Sequence, residues 1–420
     1  MPPNPNPATP SVSGWKSLGP GFLVAATGVG AGDLIAAAVV GQRFGLAVLW
    51  VVALGALFKA VLNESVSRWQ LATGTTLIEG WTQRLPKWVG YYFTGYLALW
   101  AFLVAAALAS ACGVAAKALW PGSALSTVGW SVVHAAVGYA LVRWWGYRGF
   151  ERLMHGLMAV MFVTVLLCAV LMRSDLLAVA RGLFWPGVPA GSVPLLLGAM
   201  GGVGGSVTLL CYGYWLREKQ WRGASAHRRT MWDLSCAYTL TGFFGLAVVI
   251  IAATVKPADA SGNALVLALA GQLGAVLGPV GKWCFLAGFW CAVFTSLLGV
   301  WQGVPYLWAD SMHALRRKAV PANLTTSRAY RWFLLYMAFP PLLLLTWQKP
   351  LAIVVLYAIA GAFFMPFLGA VLLWMNNRRD WVGELRNRWR TNLVLVLSLV
   401  LFASLFGLEV WQRIGAALRS

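Results

Sequence analysis

Apolar and polar positions in this chain alternate on the scale of whole segments and not of single residues. Long apolar runs are separated by short stretches that hold most of the charges. A helix of about 20 apolar residues spans the hydrocarbon core of a bilayer. The pattern predicts eleven membrane spans, near residues 18–42, 46–69, 89–119, 126–146, 152–172, 192–216, 231–255, 277–303, 330–347, 351–375 and 392–412.

The composition agrees with an integral membrane protein. Hydrophobic residues make up 60% of the chain and charged residues only 10%, whereas a soluble protein is about a quarter charged. Many of the 24 tryptophans crowd the span ends, as expected for interfacial anchors. The six cysteines show no CxxC spacing and the four histidines are scattered. We therefore expect neither a disulfide framework nor a zinc site, and no cofactor.

The net charge of +20 is distributed between the spans, which indicates membrane topology and not nucleic-acid binding. With the N-terminus inside, 22 of the 32 basic residues fall on the inner side, nine fall on the outer side, and Lys59 lies within the second span. This bias predicts a multi-pass protein of the cell (inner) membrane. Its N-terminus would be cytoplasmic and its C-terminus outside.

Two glycine-rich stretches suggest internal symmetry. The first span contains "AATGVGAGDLIA" and the sixth contains "GAMGGVGGSVTL". When these are superposed, Gly32 falls on Gly205 and Asp33 on Ser206. Spans that are five apart enter the membrane in opposite directions, which is the arrangement of an inverted repeat of five plus five helices. The alternative is close helix packing through small residues, with Asp33 paired to a structural partner.

Interrupted helices at matching positions predict a substrate site near the middle of the membrane. Freed backbone groups bind an ion only where they line a cavity, and a carboxylate at this depth usually marks function. Asp33 would start the second half-helix of span 1, where the helix dipole favours its charge. We predict metal ligation by Asp33, Gly30 and Ser206. The predicted substrate-binding residues are Asp33, Thr27, Gly28, Gly30, Ala31, Gly32, Gly201, Gly202, Gly204, Gly205, Ser206 and Thr208.

Five further stretches carry a family pattern in a fixed order. Span 2 runs into "LATGTTLIEGW", spans 4 and 5 join at "WWGYRGFERLMHGLMAVMFV", and span 6 is approached through "ARGLFWPGVPAGS". Spans 8 and 10 contain "AGFWCAVFTSLLG" and "FFMPFLGAVLLW". Over nearly its whole length the chain thus resembles the Nramp family of divalent-metal transporters. The resemblance implies an all-α polytopic fold with eleven transmembrane helices, a LeuT-like 5+5 inverted repeat, and broken helices 1 and 6.

The site departs from the family pattern. The family's Asp-Pro-Gly-Asn signature falls on Gly30-Ala31-Gly32-Asp33, so Gly30 stands at the usual carboxylate position and Asp33 at the amide position. The family's Met-Pro-His-Asn falls within "AMGGVGGSV", where the Met-Pro pair and the histidine are missing. Span 3 lacks the acidic residues that the family uses for proton movement. These losses argue against proton coupling.

The missing methionine changes the expected metal. A thioether favours soft transition metals, whereas a set of carboxylate, carbonyl and hydroxyl oxygens suits a hard, partly hydrated cation such as Mg²⁺. The sequence therefore weakens the Mn²⁺ or Fe²⁺ interpretation and leaves it open.

One charged pair in span 2 is a candidate inner gate. Glu64 and Arg68 are spaced four residues apart, so both lie on one face of the helix. The alternative is an interfacial ion pair that tethers the helix end.

The predicted domain organisation is simple. Residues 1–15 form a disordered tail, and residues 16–390 form the transporter core, with one repeat at about 16–172 and a second at about 190–376. Residues 391–420 add an extra C-terminal transmembrane helix.

We predict a secondary transporter that moves a small inorganic cation by alternating access, with a divalent metal, Mg²⁺-like or Mn²⁺, as substrate. No nucleophile–base pair or nucleotide-binding loop is visible, so an enzyme is not expected. The partners would be the metal ion and the lipid bilayer, without nucleic acid or an obligatory protein partner. Two alternatives stay open: a carrier of a non-metal solute or anion, and a non-transporting membrane receptor or scaffold.

Overall fold

The computed structural model describes residues 19–202, 205–254, 263–316, 323–347 and 350–417, so the predicted tail lies outside the described residues. Within these ranges the regular structure is helical. The helices are α1 (Pro20–Gly28), α2 (Ala31–Phe44), α3 (Leu49–Thr73), α4 (Leu77–Arg84), α5 (Lys87–Leu119), α6 (Thr127–Trp144), α7 (Gly146–Leu171), α8 (Leu176–Phe184), α9 (Val193–Gly202), α10 (Cys211–Glu218), α11 (His227–Thr254), α12 (Asn263–Leu315), α13 (Arg328–Ala338), α14 (Pro350–Met375), α15 (Arg379–Val382) and α16 (Trp389–Ala417).

Short 3₁₀ segments connect several of these helices. They comprise Gly45–Val48, Val207–Leu210, Ala224–Ala226, Leu324–Thr326, Pro340–Trp347 and Gly383–Leu385. Among the described residues, six helical stretches are long and apolar enough to cross a membrane. The half-helices α1, α9 and α10 are each too short to be counted as spans, and most of α2 is counted together with α3 in the single stretch Leu34–Thr73. The number of eleven therefore stays a prediction.

The core is organised around the long helices α11 and α12. α12 packs against α5 and α7, and α11 packs against α2 and α3. α1 lies between α11 and α12, while α9 contacts α2, α3 and α14. The C-terminal helix α16 packs on α14, α3 and α9. The broken helices are therefore surrounded by continuous ones, which provide the rigid frame.

Local sequence determines where some elements bend or begin. α12 is kinked at Gly278, whose φ of 74° lies in the left-handed region that glycine tolerates, and Pro279 starts the second part. α4 begins with a capping box in which the Thr76 hydroxyl accepts from the Glu79 N–H and the Glu79 carboxylate accepts from the Thr76 N–H. We call the end of the bundle where α1 begins, α3 ends and α10 ends the basic end.

Candidate substrate site

The first membrane segment is interrupted in its middle. α1 ends at Gly28 and α2 starts at Ala31. The last carbonyls of α1 have no helical N–H partner, because no further turn follows. The Ser296 hydroxyl of α12 fills this place, donating to the Thr27 carbonyl at 2.8 Å and to the Ala26 carbonyl at 3.3 Å. A neutral side chain thus caps this break.

The sixth segment is interrupted in the same way. α9 ends at Gly202, and the chain resumes with the 3₁₀ turn Val207–Leu210 before α10. Gly205 has a φ of +80°, a left-handed conformation that a residue with a Cβ adopts only at a cost. The glycine at this position is therefore required by the backbone.

A lysine caps the second break. The Nζ atom of Lys59, on α3, donates to the Gly201 carbonyl in the last turn of α9 at 2.7 Å. The Lys59 residue is 1% exposed. A buried cationic side chain here is stabilised by the partial negative charge at the C-terminal end of a helix.

The two breaks approach one another closely. A Cβ atom built on Gly205 would lie 3.4 Å from the Cα atom of Gly28. On the other side of span 1, a Cβ on Gly32 would lie 2.6 Å from Cε1 of Tyr357 on α14. The backbones of spans 1 and 6 therefore come into contact at Gly28 and Gly205, and glycine at position 32 leaves room for the ring of Tyr357.

A small cavity remains between the breaks. Its volume is about 10 Å³, close to what one water molecule needs. It is lined by Thr27, Gly30, Trp100, Val104, Leu108, Gly205, Ser206, Thr208, Ser296, Val300 and Tyr357. A space of this size admits a single small ion or water and no organic solute in this conformation.

Two hydroxyl groups in this cavity have no hydrogen-bond partner among the described residues. They are Thr27 Oγ1, on the first broken segment, and Ser206 Oγ, on the second. Both residues are buried. Because a buried polar atom gains stability from a partner, these two oxygens are available to a small polar ligand or ion in the cavity. The part of the chain that is described contains no cluster of three His, Cys, Asp or Glu residues fit for a metal.

The structure brings part of the predicted site together. The cavity is lined by Thr27, Gly30, Gly205, Ser206 and Thr208. Gly28 contacts Gly205, Gly32 contacts the ring of Tyr357, and the Gly201 carbonyl accepts from Lys59. Gly202 is the last residue of α9, whereas Gly204 and the side chains of Ala31 and Asp33 lie outside the described residues.

Other site residues were not predicted. Trp100 of α5, Ser296 of α12 and Tyr357 of α14 line the cavity, and Lys59 reaches the end of α9. These residues lie in ordinary apolar spans, far along the chain from both breaks. Only Lys59 could have been recognised from the sequence as a candidate site residue, because it is a lone charge within an apolar span.

The predicted gate pair lies at the basic end. Glu64 and Arg68 form an ion pair in which both side chains are buried. Arg68 also donates to the carbonyls of Leu385 and Arg386, at 3.2 and 3.1 Å, and His227 lies 3.1 Å from the Glu64 carboxylate. The pair thus joins α3 to the segment before α16. A role in gating stays a prediction.

Two buried carboxylates hold the half-helices at the basic end. Asp233 of α11 accepts from the backbone N–H groups of Gly19 and Gly21 at 3.0 and 2.6 Å, and so caps the start of α1. It also accepts from the Tyr212 hydroxyl at 2.9 Å. Asp310 of α12 accepts from the Tyr214 hydroxyl at 2.5 Å. α10 is therefore tied both to α11 and to α12.

Further polar contacts tie α10 to its surroundings. The Trp215 indole donates to the Gln302 side chain at 2.6 Å, and Glu218 accepts from the Tyr306 hydroxyl at 2.7 Å. Arg217 pairs with Glu79 at 2.9 Å. Next to these contacts lies a cavity of about 540 Å³, bounded by α6, α7, α10, α12 and α13. α10 is thus held at the basic end by contacts with α4 and α12.

Comparison with solved structures identifies the fold. The chain matches crystal structures of manganese transporter mutants from Eremococcus coleocola with a TM-score of 0.75 at 17% identity, covering 98% of this chain and 90% of theirs. It also matches Mhp1, a nucleobase-cation-symport-1 family transporter, with a TM-score of 0.58 at 14% identity, covering 93% and 92%. These likenesses concern the fold alone. They confirm the all-α, LeuT-like architecture with broken helices 1 and 6.

Sequence comparison gives curated relatives at 26% identity. The divalent metal cation transporter MntH of Aeromonas hydrophila is 26% identical over 259 residues, which is 59% of this chain and 60% of that protein. MntH of Bacillus subtilis is 26% identical over 173 residues, 40% of each chain. The chain thus spans about 60% or less of the length of the curated relatives it matches.

The family model described as natural resistance-associated macrophage protein-like matches residues 21–412, nearly the whole chain. Members of this family are multi-pass membrane transporters that carry no cofactor, so the expectations of a membrane protein, of no enzyme and of no cofactor are confirmed. This chain belongs to the Nramp family.

Proposed function

We propose that the chain is a secondary transporter that moves a small inorganic cation, a divalent metal, across the membrane by alternating access around the two helix breaks. The observation that carries the proposal is the pair of partnerless hydroxyls, Thr27 Oγ1 and Ser206 Oγ, that face one cavity from two broken helices. Membership of the Nramp family and the MntH relatives support the metal as substrate.

The ligand set in this proposal consists of oxygen atoms. Asp33 supplies the negative charge, Ser206 and Thr27 supply hydroxyls, and Gly30 supplies a backbone group. Thr208 and the glycine backbones 28, 32, 201, 202, 204 and 205, with Ala31, complete the surroundings. Such a set suits Mg²⁺ or a partly hydrated Mn²⁺. Because the cavity of about 10 Å³ has room for about one water molecule, it must widen to admit a partly hydrated ion.

The orientation and the moving parts follow from charge and contacts. We place the basic end in the cytoplasm, the N-terminus inside and the C-terminus outside, in a cell (inner) membrane. The core comprises residues 16–390, with repeats at about 16–172 and 190–376, and α16 is an addition to it. Opening toward the cytoplasm requires α1 and α10 to leave their partners at the basic end, with the buried Glu64–Arg68 pair as a fixed tether or part of the gate.

Uptake into proteoliposomes tests this function. The full chain should accumulate Mn²⁺ or Mg²⁺, and Asp33→Asn should lower the rate at least tenfold because the site loses its charge. Asp380→Asn, which removes an exposed carboxylate far from the breaks, is the matched control and should transport normally. Equal rates for the full chain and Asp33→Asn would contradict the proposal. Competition between the two metals identifies the preferred ion.

One observation favours a second candidate function, the transport of a non-metal solute. The described wall of the cavity contains no carboxylate, and it includes the aromatic residues Trp100 and Tyr357. Aromatic faces and free hydroxyls also suit a polar organic molecule once the cavity widens. Uptake of a panel of labelled amino acids and nucleobases, unaffected by excess Mn²⁺ and Mg²⁺, would favour this function over metal transport.

A further inference from the structure

Lys59 is a charged side chain that the proposed function does not use. It lies near the middle of α3 and is 1% exposed. A lysine at this depth of a membrane is costly, faces the protein interior and usually serves function. Its Nζ atom points to the break of span 6, where it contacts the Gly201 carbonyl at 2.7 Å.

The place that Lys59 occupies is one where transporters of this architecture bind cations. The last carbonyls of a half-helix lack internal partners and carry the negative end of the helix dipole. In broken-helix folds such carbonyl ends coordinate the transported or coupling ion. Here the end of α9 holds an ammonium group that belongs to the protein.

The end of α1 provides the contrast within the same site. Its carbonyls are capped by the Ser296 hydroxyl, which carries no charge and can itself coordinate a cation through oxygen. An ammonium is a donor only and cannot coordinate a metal. A cation that takes the Gly201 carbonyl must therefore displace Lys59, whereas one that takes the Thr27 carbonyl needs only a rotation of Ser296.

We propose that Lys59 is a resident cation, which competes with the transported metal for the carbonyl end of α9 and so lowers the affinity of the site for divalent ions. This inference rests on the proposed function, because it concerns the same site. Charges interact strongly in a region of low dielectric, so removing the charge of Lys59 tightens metal binding. Losing a merely structural lysine would weaken binding or leave it unchanged.

Calorimetric titration of the purified full chain with Mn²⁺ and with Mg²⁺ tests the inference. We expect Lys59→Met, which has similar length without charge or donor, to bind at least one of the metals at least tenfold more tightly. Lys59→Gln should do the same and serves as the second neutral variant if Lys59→Met is not monodisperse. Lys59→Arg keeps the charge and should bind as weakly as the unchanged protein. Lys282→Met, an exposed lysine outside the site, is the matched control.

The outcomes separate this inference from the proposed function. If the unchanged protein binds metal and the folded neutral variants bind it equally or more weakly, Lys59 is not a resident cation, although metal transport stands. If only the neutral variants bind metal, the inference holds and metal transport by the natural protein does not. If no variant binds either metal, both are wrong.

Discussion

The two helix breaks have similar sequences and different surroundings. Each ends a half-helix whose last carbonyls lack helical N–H partners, and each contributes to the same cavity one hydroxyl, of Thr27 or Ser206, that has no partner among the described residues. The first break is capped by the neutral Ser296 and the second by the cationic Lys59. The chain thus keeps the symmetry of an inverted repeat in its backbone but not in its charge.

The difference assigns separate tasks to the two breaks. A cation meets only neutral groups at the end of α1, so this end can bind it directly. At the end of α9 it meets a positive charge, so binding there requires Lys59 to move. If the chain carries a cation as proposed, we expect the ion to bind nearer to span 1, where Asp33 lies in the first turn of α2, and span 6 to be the segment that responds to binding.

The largest effect is expected from giving the second break a side chain. Gly205→Ala forces a Cβ into a left-handed backbone at φ +80° and toward the Gly28 Cα. We expect a loss of about 3 kcal/mol in the free energy of unfolding and loss of transport. Thermal unfolding in detergent and metal uptake measure both.

The counterpart in the first break is Gly30→Ala. Its Cβ would lie 2.6 Å from Ser296 Oγ and 2.9 Å from Ser296 Cβ. The hydroxyl must therefore rotate and the backbone must shift, and we expect a loss of about 2 kcal/mol in the free energy of unfolding. If Gly30→Ala were more damaging than Gly205→Ala, the first break would be the more rigid one and the comparison would be reversed.

A smaller effect is expected where both broken segments share one anchor at the basic end. Asp233 caps the start of α1 and accepts from Tyr212 of α10. Asp233→Asn removes the charge from three hydrogen bonds, and we expect the free energy of unfolding to fall by about 2 kcal/mol. The exposed carboxylate variant Asp380→Asn should leave stability unchanged. Equal stability of the two variants would show that α1 does not depend on this cap.

The hydrogen bond between α10 and α12 gives a further prediction. Tyr214→Phe removes the hydrogen bond to Asp310, which shifts the population toward conformations with α10 displaced. Cys211, buried at the start of α10, should then react several-fold faster with a maleimide, as followed by peptide mass spectrometry. Tyr91→Phe, at an exposed tyrosine, is the control. Unchanged labelling of Cys211 would mean that this bond does not hold α10 in place.

The positions of the breaks were predictable from sequence, whereas their caps were not. Glycine repeats weaken a helix locally, and the interruptions occur within the two repeats, after Gly28 and after Gly202. Ser296 lies 269 residues from Thr27 along the chain, and Lys59 lies 142 residues from Gly201. The spans that contain Ser296 and Lys59 show no local pattern that points to a distant carbonyl. The tertiary packing of α3 and α12 alone brings them there.

The smallest effect is expected from removing the neutral cap. Ser296→Ala leaves the carbonyls of Ala26 and Thr27 without their donor, which should lower the free energy of unfolding by about 1 kcal/mol. Ser398→Ala, which removes a buried hydroxyl bound to a carbonyl of its own helix, is the control for the loss of one hydroxyl.

Metal binding by Ser296→Ala distinguishes charge from hydrogen bonding as the cause of the asymmetry. The variant loses a hydrogen bond and no charge, so its affinity for Mn²⁺ or Mg²⁺ should change less than threefold in a calorimetric titration. A tenfold gain, equal to the one expected for Lys59→Met, would mean that freeing a carbonyl is enough to strengthen the site. The charge of Lys59 would then not be the cause of the weaker metal binding. The two breaks would be equivalent in function as well as in backbone.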